Sequence, residues 1–276
     1  MAATYLKGIL QLNTIHTADC LDFMPQLPGE SVHLVVADPP YFRVQLRQAW
    51  DNQWPDETAY LDWSLRWLRE AMRLLVPGGL CYIFGQVGKR EHVWLHLQSR
   101  ACAEFTFHDL IIWDRAVGYN ERRDSFTPAY EMILALRKDG APPRFDKDAV
   151  REAYTPQIRE LYLKDRRYKD LEERKRHLES GKFATNVWRI PSLKGSSKEK
   201  VGHPTQKPLE LIERLVLSSS REGDLVFDPF CGSGTTLVAA KRHRRDYLGC
   251  EINSSFAACA QARLEIEPNA HVSLVK

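Results

Sequence analysis

Short apolar runs rich in β-branched residues alternate with segments of helical periodicity along most of the chain, and this alternation limits the folds open to it. Strands are predicted at 31–37, 80–84, 105–113, 131–136, 224–228 and 247–252, and helices at 60–75, 91–99, 161–178, 209–216, 236–242 and 256–264. Strands that alternate with helices indicate a parallel sheet with helices packed on it. The sequence therefore predicts an α/β fold, in which ligands bind beyond the carboxyl ends of the strands.

The composition is that of an ordinary globular protein, with 43% hydrophobic and 27% charged residues among 276. This length suits one large domain that carries an insertion. Residues 137–200 hold 18 Lys and Arg against 11 Asp and Glu, a net charge of +7. The whole chain carries +3, so the remainder carries −4. A basic segment on a mildly acidic body suits binding of a polyanion, although a solvated helical face would show the same composition.

Several classes of protein are disfavoured by the sequence. None of the six cysteines forms a Cys-x-x-Cys pair, so neither a zinc site nor a redox pair is indicated, and we predict no metal. Cysteines in or beside apolar runs fit a reducing compartment. The first residues do not resemble a signal peptide, and no apolar run approaches the ~18 residues of a membrane span. We therefore expect a cytoplasmic protein with no membrane partner.

A glycine loop follows the strand predicted at 224–228. Asp228 stands at the carboxyl end of that strand, and Gly232 and Gly234 lie in the turn before the next helix. Glycines let the backbone approach a ligand closely, and Glu251, at the end of the next strand, can accept hydrogen bonds from ribose hydroxyls. The loop lacks both the full Gly-x-Gly-x-x-Gly spacing and a Gly-Lys-Ser/Thr sequence, so it does not suit a pyrophosphate. The alternative is a purely structural strand-to-helix turn.

A second strand end carries the sequence Asp-Pro-Pro-Tyr at 38–41. An exocyclic base amine is a poor nucleophile, because its lone pair is delocalised into the ring. The Asp38 carboxylate and the Pro39 carbonyl could hold both amino hydrogens and direct that lone pair, and the two prolines stiffen the corner. Tyr41 offers a ring on which an extruded base can stack, worth roughly 1–3 kcal/mol. A tight turn at a strand end is the alternative for this tetrapeptide taken alone.

Taken together, these motifs resemble those of the beta-group amino-methylating DNA methyltransferases, the D-P-P-Y type of the N6-adenine and N4-cytosine family. Members of that group place the catalytic tetrapeptide first, a target-recognition region second and the glycine loop last. Here the order is the tetrapeptide at 38–41, the basic insertion, His-Pro-Thr-Gln-Lys-Pro at 203–208, and the glycine loop at 228–236. The resemblance extends over nearly the whole chain, from about residue 13 to residue 264.

The resemblance implies a Rossmann-like S-adenosylmethionine-dependent methyltransferase fold with a circularly permuted order of motifs. It divides the chain into a catalytic half at 1–140, a target-recognition insertion at 141–202 and a cofactor-binding half at 203–276. We treat these bounds as predictions.

The same resemblance implies which residues form the site. The catalytic residues would be Asp38, Pro39, Pro40 and Tyr41, and the cofactor-binding residues would be Asp19, His203, Thr205, Gln206, Lys207, Asp228, Phe230, Cys231, Gly232, Ser233, Gly234, Thr235 and Glu251. Glu251 would bind the ribose, and Lys207, with the helix start that follows it, would face the methionine carboxylate. Asp19 would contact the cofactor adenine, with a helix cap before Leu21 as the alternative.

A strand pair behind the target base is a further implication. Trp113 and the segment 126–138 resemble it. Family members often carry His-Glu where this chain has Tyr130 and Glu131. A role for Glu131 therefore stays open, and a charge at a strand end is the alternative.

The function that the resemblance implies is transfer of a methyl group from S-adenosyl-L-methionine to adenine N6 of a base flipped out of duplex DNA. Adenine is favoured over cytosine N4, because the family's adenine enzymes usually carry Asp or Asn at the position of Asp38 and its cytosine enzymes usually carry Ser. Cytosine C5 methylation is not expected, since it requires a cysteine nucleophile and the chain contains no Pro-Cys dipeptide.

Two other classes of function stay open from the sequence. Enzymes that methylate RNA or a protein glutamine share a similar corner but generally place the glycine loop before it. A DNA-binding module could also retain the fold without the chemistry. The expected partner is duplex DNA, with a cognate restriction endonuclease and a second copy of the chain as further candidates. The expected location is the cytoplasm of a bacterial or archaeal cell, at the nucleoid.

Overall fold

The computed structural model describes residues 11–87, 92–118, 123–165 and 170–267. Its strands are β1 Thr14–Thr17, β2 Val32–Ala37, β3 Leu75–Gly85, β4 Thr106–Asp114, β5 Tyr130–Arg137, β6 Val187–Arg189, β7 Leu225–Asp228 and β8 Asp246–Glu251. Its helices are α1 Cys20–Phe23, α2 Glu57–Leu74, α3 Val93–Glu104, α4 Pro156–Lys164, α5 Leu171–Ser180, α6 Leu209–Ser219, α7 Thr235–Arg242 and α8 Ser254–Ile266. Strands and helices alternate through most of the chain, so the predicted α/β class is confirmed.

One sheet of eight strands, in the order β1-β8-β7-β2-β3-β5-β4-β6, unites the described parts of the chain. All neighbouring pairs are parallel except those made by β5, which is antiparallel to both β3 and β4. A wholly parallel sheet was therefore the wrong expectation at β5. The reason is the connection: β4 and β5 follow one another in sequence, and the described residues between them, 115–118 and 123–129, form no crossover helix, so the two strands pair as antiparallel neighbours.

Strand β2 lies in the middle of the sheet and packs on both faces. Val35 and Ala37 belong to the apolar cluster on the face covered by α2 and α3. Leu34 and Val36 belong to the cluster on the opposite face, under α6 and α7. Because successive side chains of a strand point to opposite faces, a strand buried on both sides needs the unbroken apolar run seen in the sequence.

Helix α2 begins and ends close to its predicted bounds. The carboxylate of Asp56 accepts a hydrogen bond from the Ala59 amide at 2.8 Å and caps its first turn. Strand β3 begins at Leu75, directly after the helix, and not at the predicted residue 80. The backbone passes through Gly78 at a φ of +79°, and a Cβ there would lie 2.2 Å from the carbonyl oxygen of Pro142. Glycine is required at this point by both the conformation and the contact.

The basic insertion differs most from its prediction. A single helix at 161–178 is wrong, because α4 ends at Lys164 and α5 begins at Leu171. Asp170 starts the second helix by accepting a hydrogen bond from the Glu173 amide at 3.0 Å. This segment buries few apolar side chains, so a local cap outweighs its weak helical periodicity.

The insertion is also joined to the main sheet, since β6 pairs with the edge of β4. Near its start, the Asp146 amide donates to the carbonyl of Ser218 at the end of α6. The predicted segments 1–140 and 203–276 reach beyond the described residues at the two termini, and residue 91 of the helix predicted at 91–99 also lies outside them. In the described part of the chain, no helix is long and apolar enough to cross a membrane.

Candidate active site

The carboxyl ends of the neighbouring strands β2, β7 and β8 open into one cavity of about 910 Å³. Cavities of roughly 300–1,000 Å³ at the strand ends of α/β sheets commonly hold small-molecule ligands. Every predicted site residue except Gly234 lines this cavity. A Cβ on Gly234 would lie 2.9 Å from the Cβ of Ala260, so this glycine permits close packing of α7 on α8. The fold therefore brings the tetrapeptide and the glycine loop together from opposite ends of the sequence.

The tetrapeptide at 38–41 turns away from the sheet directly after β2. The Tyr41 hydroxyl donates to Asp38 Oδ1 at 2.6 Å. The hydroxyl of Tyr60, from α2, donates to the carbonyl of Pro40 at 2.6 Å. These bonds hold the corner from the aspartate and from the helix, so its acceptor groups are preorganised.

A buried carboxylate orders the loop that follows the tetrapeptide. Asp51 is fully buried and accepts hydrogen bonds from the amides of Tyr41 at 2.5 Å, Val44 at 2.8 Å and Gln45 at 2.6 Å. Burial raises the pKa of Asp51, although these amides act in the opposite direction. Between the held amides, Phe42 and Arg43 adopt φ values of 60° and 58°, a conformation that L residues rarely adopt. Asp51 could not be predicted from the sequence, because no local pattern marks an aspartate that binds amides several residues upstream.

A lysine from the other half of the chain reaches the catalytic corner. Lys207 Nζ lies 2.9 Å from Asp38 Oδ1, 2.8 Å from Asp38 Oδ2 and 3.1 Å from the Tyr41 hydroxyl. Only 8% of its side chain is exposed. Burial lowers the pKa of Lys207, but the carboxylates of Asp38 and Glu131 outweigh burial and raise it, so the side chain is an ammonium ion.

Glu131 and Arg115 complete this buried group of charges. Glu131 Oε2 lies 3.0 Å from the Tyr41 hydroxyl, whose single hydrogen is donated over the shorter distance to Asp38, and 3.4 Å from Lys207 Nζ. Its Oε1 accepts from Arg115 Nη1 at 3.2 Å. Glu131 thus contacts the site, although the family often has a different residue before it. The sequence analysis missed Arg115, whose only local signal is its position one residue after β4.

The glycine loop forms the opposite side of the cavity. Glu251 accepts the Gly232 amide at 2.9 Å on Oε2 and the Asn253 amide at 2.8 Å on Oε1. Gly232 has a φ of +47°, and a Cβ there would lie 3.1 Å from Nε2 of His203. Asp228 accepts the Phe230 amide at 3.0 Å, and burial raises the pKa of Asp228 to about 7. A side chain at Gly232 would fill the space into which the cavity opens.

The segment 203–207 closes the cavity beside this loop. The His203 ring packs edge-on against the Phe256 ring, with ring centroids 4.4 Å apart. Burial lowers the pKa of His203 to about 4, so the imidazole is neutral at pH 7. Gln206 Nε2 donates to the Glu199 carbonyl at 2.8 Å, and Gln206 Oε1 accepts from the Val201 amide at 2.9 Å. Gln206 therefore holds the preceding loop.

The backbone and the side chain of Lys207, which was predicted to face the methionine carboxylate of the cofactor, contact different parts of the cavity. Its carbonyl accepts from Thr235 Oγ1 at 3.4 Å, while its ammonium group lies on Asp38. The backbone of Lys207 thus contacts the predicted cofactor loop, and its side chain contacts the catalytic corner.

The remaining predicted residues line the cavity in different ways. Asp19 accepts the Leu21 amide at 2.8 Å, so it caps α1 as the alternative predicted, and it also faces the cavity. Phe230 packs edge-on against Trp67 with ring centroids 5.1 Å apart. Burial raises the pKa of the Cys231 thiol well above its usual value, so this cysteine is not an activated nucleophile. Ser233 Oγ lies 3.4 Å from Thr235 Oγ1.

The donor set of the cavity fits S-adenosylmethionine. Each oxygen of the Glu251 carboxylate accepts one amide and has a lone pair left for a hydroxyl. The bare backbone at Gly232 leaves room that a Cβ would take. The sheet, the cavity at its strand ends and the two facing motifs define the class: an S-adenosylmethionine-dependent methyltransferase of the α/β type.

Comparison with known proteins agrees with this class. A family model described as DNA methylase matches residues 32–262. The Type II methyltransferase M1.MboII of Moraxella bovis is 31% identical over 90% of this chain and 95% of its own. The DNA adenine methyltransferase YhdJ of Escherichia coli K12 is 33% identical over 93% and 84%. A Thermus thermophilus protein, assigned as a DNA modification methylase and solved with S-adenosyl-L-methionine, is 30% identical over 92% and 95%, with a TM-score of 0.60.

The chain therefore belongs to the DNA methylase family, whose model matches most of its length. It is a DNA methyltransferase that uses S-adenosyl-L-methionine, as the order of its motifs predicted.

Proposed function

We propose that this protein methylates N6 of adenine at a specific site in duplex DNA. The observation that carries the proposal is the position of the Asp38 carboxylate at the end of β2, across one cavity from Glu251 and the glycine loop. Asp38 is the residue type usual for adenine enzymes of the family. A relative at 33% identity is named a DNA adenine methyltransferase, which adds support for that base.

The catalytic roles follow from the groups at the corner. The Asp38 carboxylate and the Pro39 carbonyl each accept a hydrogen bond from the target amine. These two bonds direct the lone pair of the amine nitrogen. When bound, S-adenosylmethionine supplies a methyl group already activated by its sulfonium, so attack needs no covalent enzyme intermediate. The hydrogen bonds of the Tyr41 hydroxyl fix its ring as a stacking surface for an extruded base.

The cofactor-binding roles belong to the opposite side of the cavity. Glu251 accepts hydrogen bonds from the ribose hydroxyls, and Gly232 keeps the backbone close to the cofactor. Asp19, at the start of α1, faces the cofactor adenine. His203 and Thr205 cover the methionine end, while Asp228, Phe230, Cys231, Ser233 and Thr235 shape the loop beneath it.

We also propose that the insertion at 141–202 recognises the DNA target. Its net positive charge suits the phosphate backbone. Ser192, Leu193 and Lys200 belong to this segment and line the cavity, so it reaches the site where a flipped base would lie. Part of its charge serves its own structure, as in the ion pair of Lys182 with Glu152 at 3.2 Å.

Further partners are part of the same proposal. A relative named a Type II methyltransferase supports a cognate restriction endonuclease, tested by searching for a nuclease whose cleavage this methylation blocks. A homodimer is testable by light scattering of the purified protein. The DNA substrate implies a location in the cytoplasm with the nucleoid.

Identification of the methylated base tests the main proposal. Purified protein is incubated with unmethylated duplex DNA that contains many different sites and with S-adenosylmethionine, and the DNA is digested to nucleosides for mass spectrometry. We expect N6-methyladenine. N4-Methylcytosine would retain the mechanism but contradict the choice of base. No methylated base on DNA, together with product on RNA or protein, would contradict the proposal as a whole.

A further inference from the structure

We infer that Lys207 is a positioning residue for Asp38, and that it leaves Asp38 Oδ2 as the oxygen that accepts the target amine. The inference deepens the proposed function and rests on it. It also gives Lys207 a role different from the methionine-carboxylate contact implied by the family resemblance.

The contacts of the ammonium group carry the first step. Lys207 Nζ lies within 2.9 Å of both oxygens of Asp38, 3.1 Å from the Tyr41 hydroxyl and 3.4 Å from Glu131 Oε2. It also lies 5.2 Å from the ring centroids of Tyr41 and Phe84. An ammonium ion has three donors, and these acceptors surround it on the catalytic side. Its partners therefore hold the side chain at the corner, away from the glycine loop.

The two oxygens of Asp38 are not equivalent. Oδ1 accepts from the Tyr41 hydroxyl at 2.6 Å and from Lys207 Nζ at 2.9 Å, which occupies both of its lone pairs. Oδ2 accepts from Lys207 Nζ at 2.8 Å and keeps one lone pair. Asp38 lines the cavity and 25% of its side chain is exposed, whereas 8% of the Lys207 side chain is. We therefore assign Oδ2, the oxygen with a lone pair left, as the acceptor of the target amine.

Glu131 and Arg115 keep this arrangement in charge balance. Two cations, Lys207 and Arg115, face two carboxylates, Asp38 and Glu131, so the formal charge of the group is zero. Buried charges are stable only when paired, and the loss of one partner leaves an uncompensated charge. The ammonium group of Lys207 is shared by two carboxylates, so a movement of Asp38 alone would leave the lysine still held by Glu131.

The functional consequence is that Lys207 acts on the rate and not on the affinity for the cofactor. It fixes the direction of the Asp38 carboxylate, because its ammonium group contacts both carboxylate oxygens at 2.8–2.9 Å. Other titratable or charged groups that face this pair are Tyr41 beside it, Glu131 on β5, Arg115 after β4, His203 on the same loop and Asp228 on β7. Only Lys207 contacts both oxygens of Asp38 among the described residues.

The test separates the two roles with Lys207→Met, Lys207→Gln and Lys207→Arg. The single-turnover rate of methyl transfer on DNA and the S-adenosylmethionine Kd, by calorimetry, are measured for each variant. We expect Lys207→Met to lose on the order of 100-fold in rate, as for loss of one preorganised charge contact, with Kd changed less than about 3-fold. Lys207→Arg keeps the charge and should show a smaller loss in rate.

Lys241→Met is the matched control, because Lys241 lies in the last turn of α7, outside the cavity lining, and its Nζ donates to the Leu264 carbonyl at 2.7 Å. It should leave the rate and the Kd unchanged. If Lys207→Met does not fold, Lys207→Gln is the measured variant, since its amide can replace part of the ammonium's hydrogen bonding.

The inference is overturned if the Kd for S-adenosylmethionine rises enough to account for the whole loss, or if a folded neutral variant keeps the wild-type rate. Failure of the proposed function looks different, because the wild-type protein itself would then methylate no DNA base.

Discussion

The two sides of the cavity are built in different ways. On the proposed cofactor side, the glycine loop and the end of β8 are held by backbone amides: Asp228 accepts the Phe230 amide, and Glu251 accepts the Gly232 amide. The proposed catalytic side joins four separate segments through the charged side chains of Asp38, Arg115, Glu131 and Lys207. The glycine loop therefore depends mainly on bonds to backbone amides, whereas the corner at 38–41 depends on charges that only the tertiary fold pairs.

The largest effect should come from Asp38→Ala, which removes the acceptor of the target amine. We expect methyl transfer to fall by at least about 10³-fold, because the remaining Pro39 carbonyl cannot direct the amine alone. The Kd for S-adenosylmethionine should stay within a few-fold of wild type. Calorimetry and a DNA methylation assay measure the two quantities. A large loss of cofactor affinity would mean that the two sides are not separable at Asp38.

Gly232→Val should produce the reverse defect. A Cβ at this φ of +47° would press on the His203 ring at 3.1 Å and fill the loop side of the cavity. We expect the Kd for S-adenosylmethionine to rise by about 10- to 100-fold, which is about 1.4–2.8 kcal/mol.

Gly223→Val is the matched control for that substitution. Gly223 also has a positive φ, of +79°, but a Cβ there meets nothing within 4 Å. It should cost stability without weakening cofactor binding. Equal losses of affinity in both variants would point to backbone strain alone.

Asp51→Asn should weaken the catalytic side without touching the charged group itself. The Asn amide keeps one acceptor oxygen and puts an NH2 group in place of the other, so it can accept from Tyr41 or from Val44 and Gln45 but not from all three. We expect a loss of roughly 1–3 kcal/mol in unfolding free energy and about a 10-fold slower methyl transfer, because the backbone of Tyr41 is released. Asp56→Asn, at the cap of α2, is the control and should leave the rate unchanged.

Asp228→Asn should change how stability depends on pH. Burial raises the pKa of Asp228 from 3.8 to about 7, so the folded protein binds a proton that the unfolded chain has released between these values. Folding stability from this group is therefore full below about pH 4 and is lost as pH rises toward 7. In Asp228→Asn this decline in folding stability should be absent; in the wild type it amounts to on the order of a few kcal/mol of unfolding free energy.

Denaturant unfolding of the cofactor-free protein at pH 4.5 and pH 7 measures this effect. The difference between variant and wild type is the relevant quantity, because His203, with its pKa lowered from 6.5 to about 4, contributes in the opposite direction between these values. A difference that does not vary with pH would contradict the assignment to Asp228.

Much of this protein was determined by its sequence alone. Apolar runs that end at Asp38 and Asp228 specified two strands buried on both faces, and the motifs at those ends specified the cavity and its cofactor. Such features depend on local hydrophobic pattern and on residues with a restricted backbone. The two prolines after Asp38, for example, have a fixed φ and no N–H, so they end the strand.

The tertiary structure decided the partners of the charged side chains. Nothing in sequence relates Lys207 to Asp38, 169 residues away, or Asp51 to the amides of the loop before it. It also decided that β5 runs antiparallel and that α4 and α5 are separate helices in the described part of the insertion. Long charged side chains reach many possible partners, and burial selects among them, because an ion removed from water must find its counter-charge wherever the fold provides one.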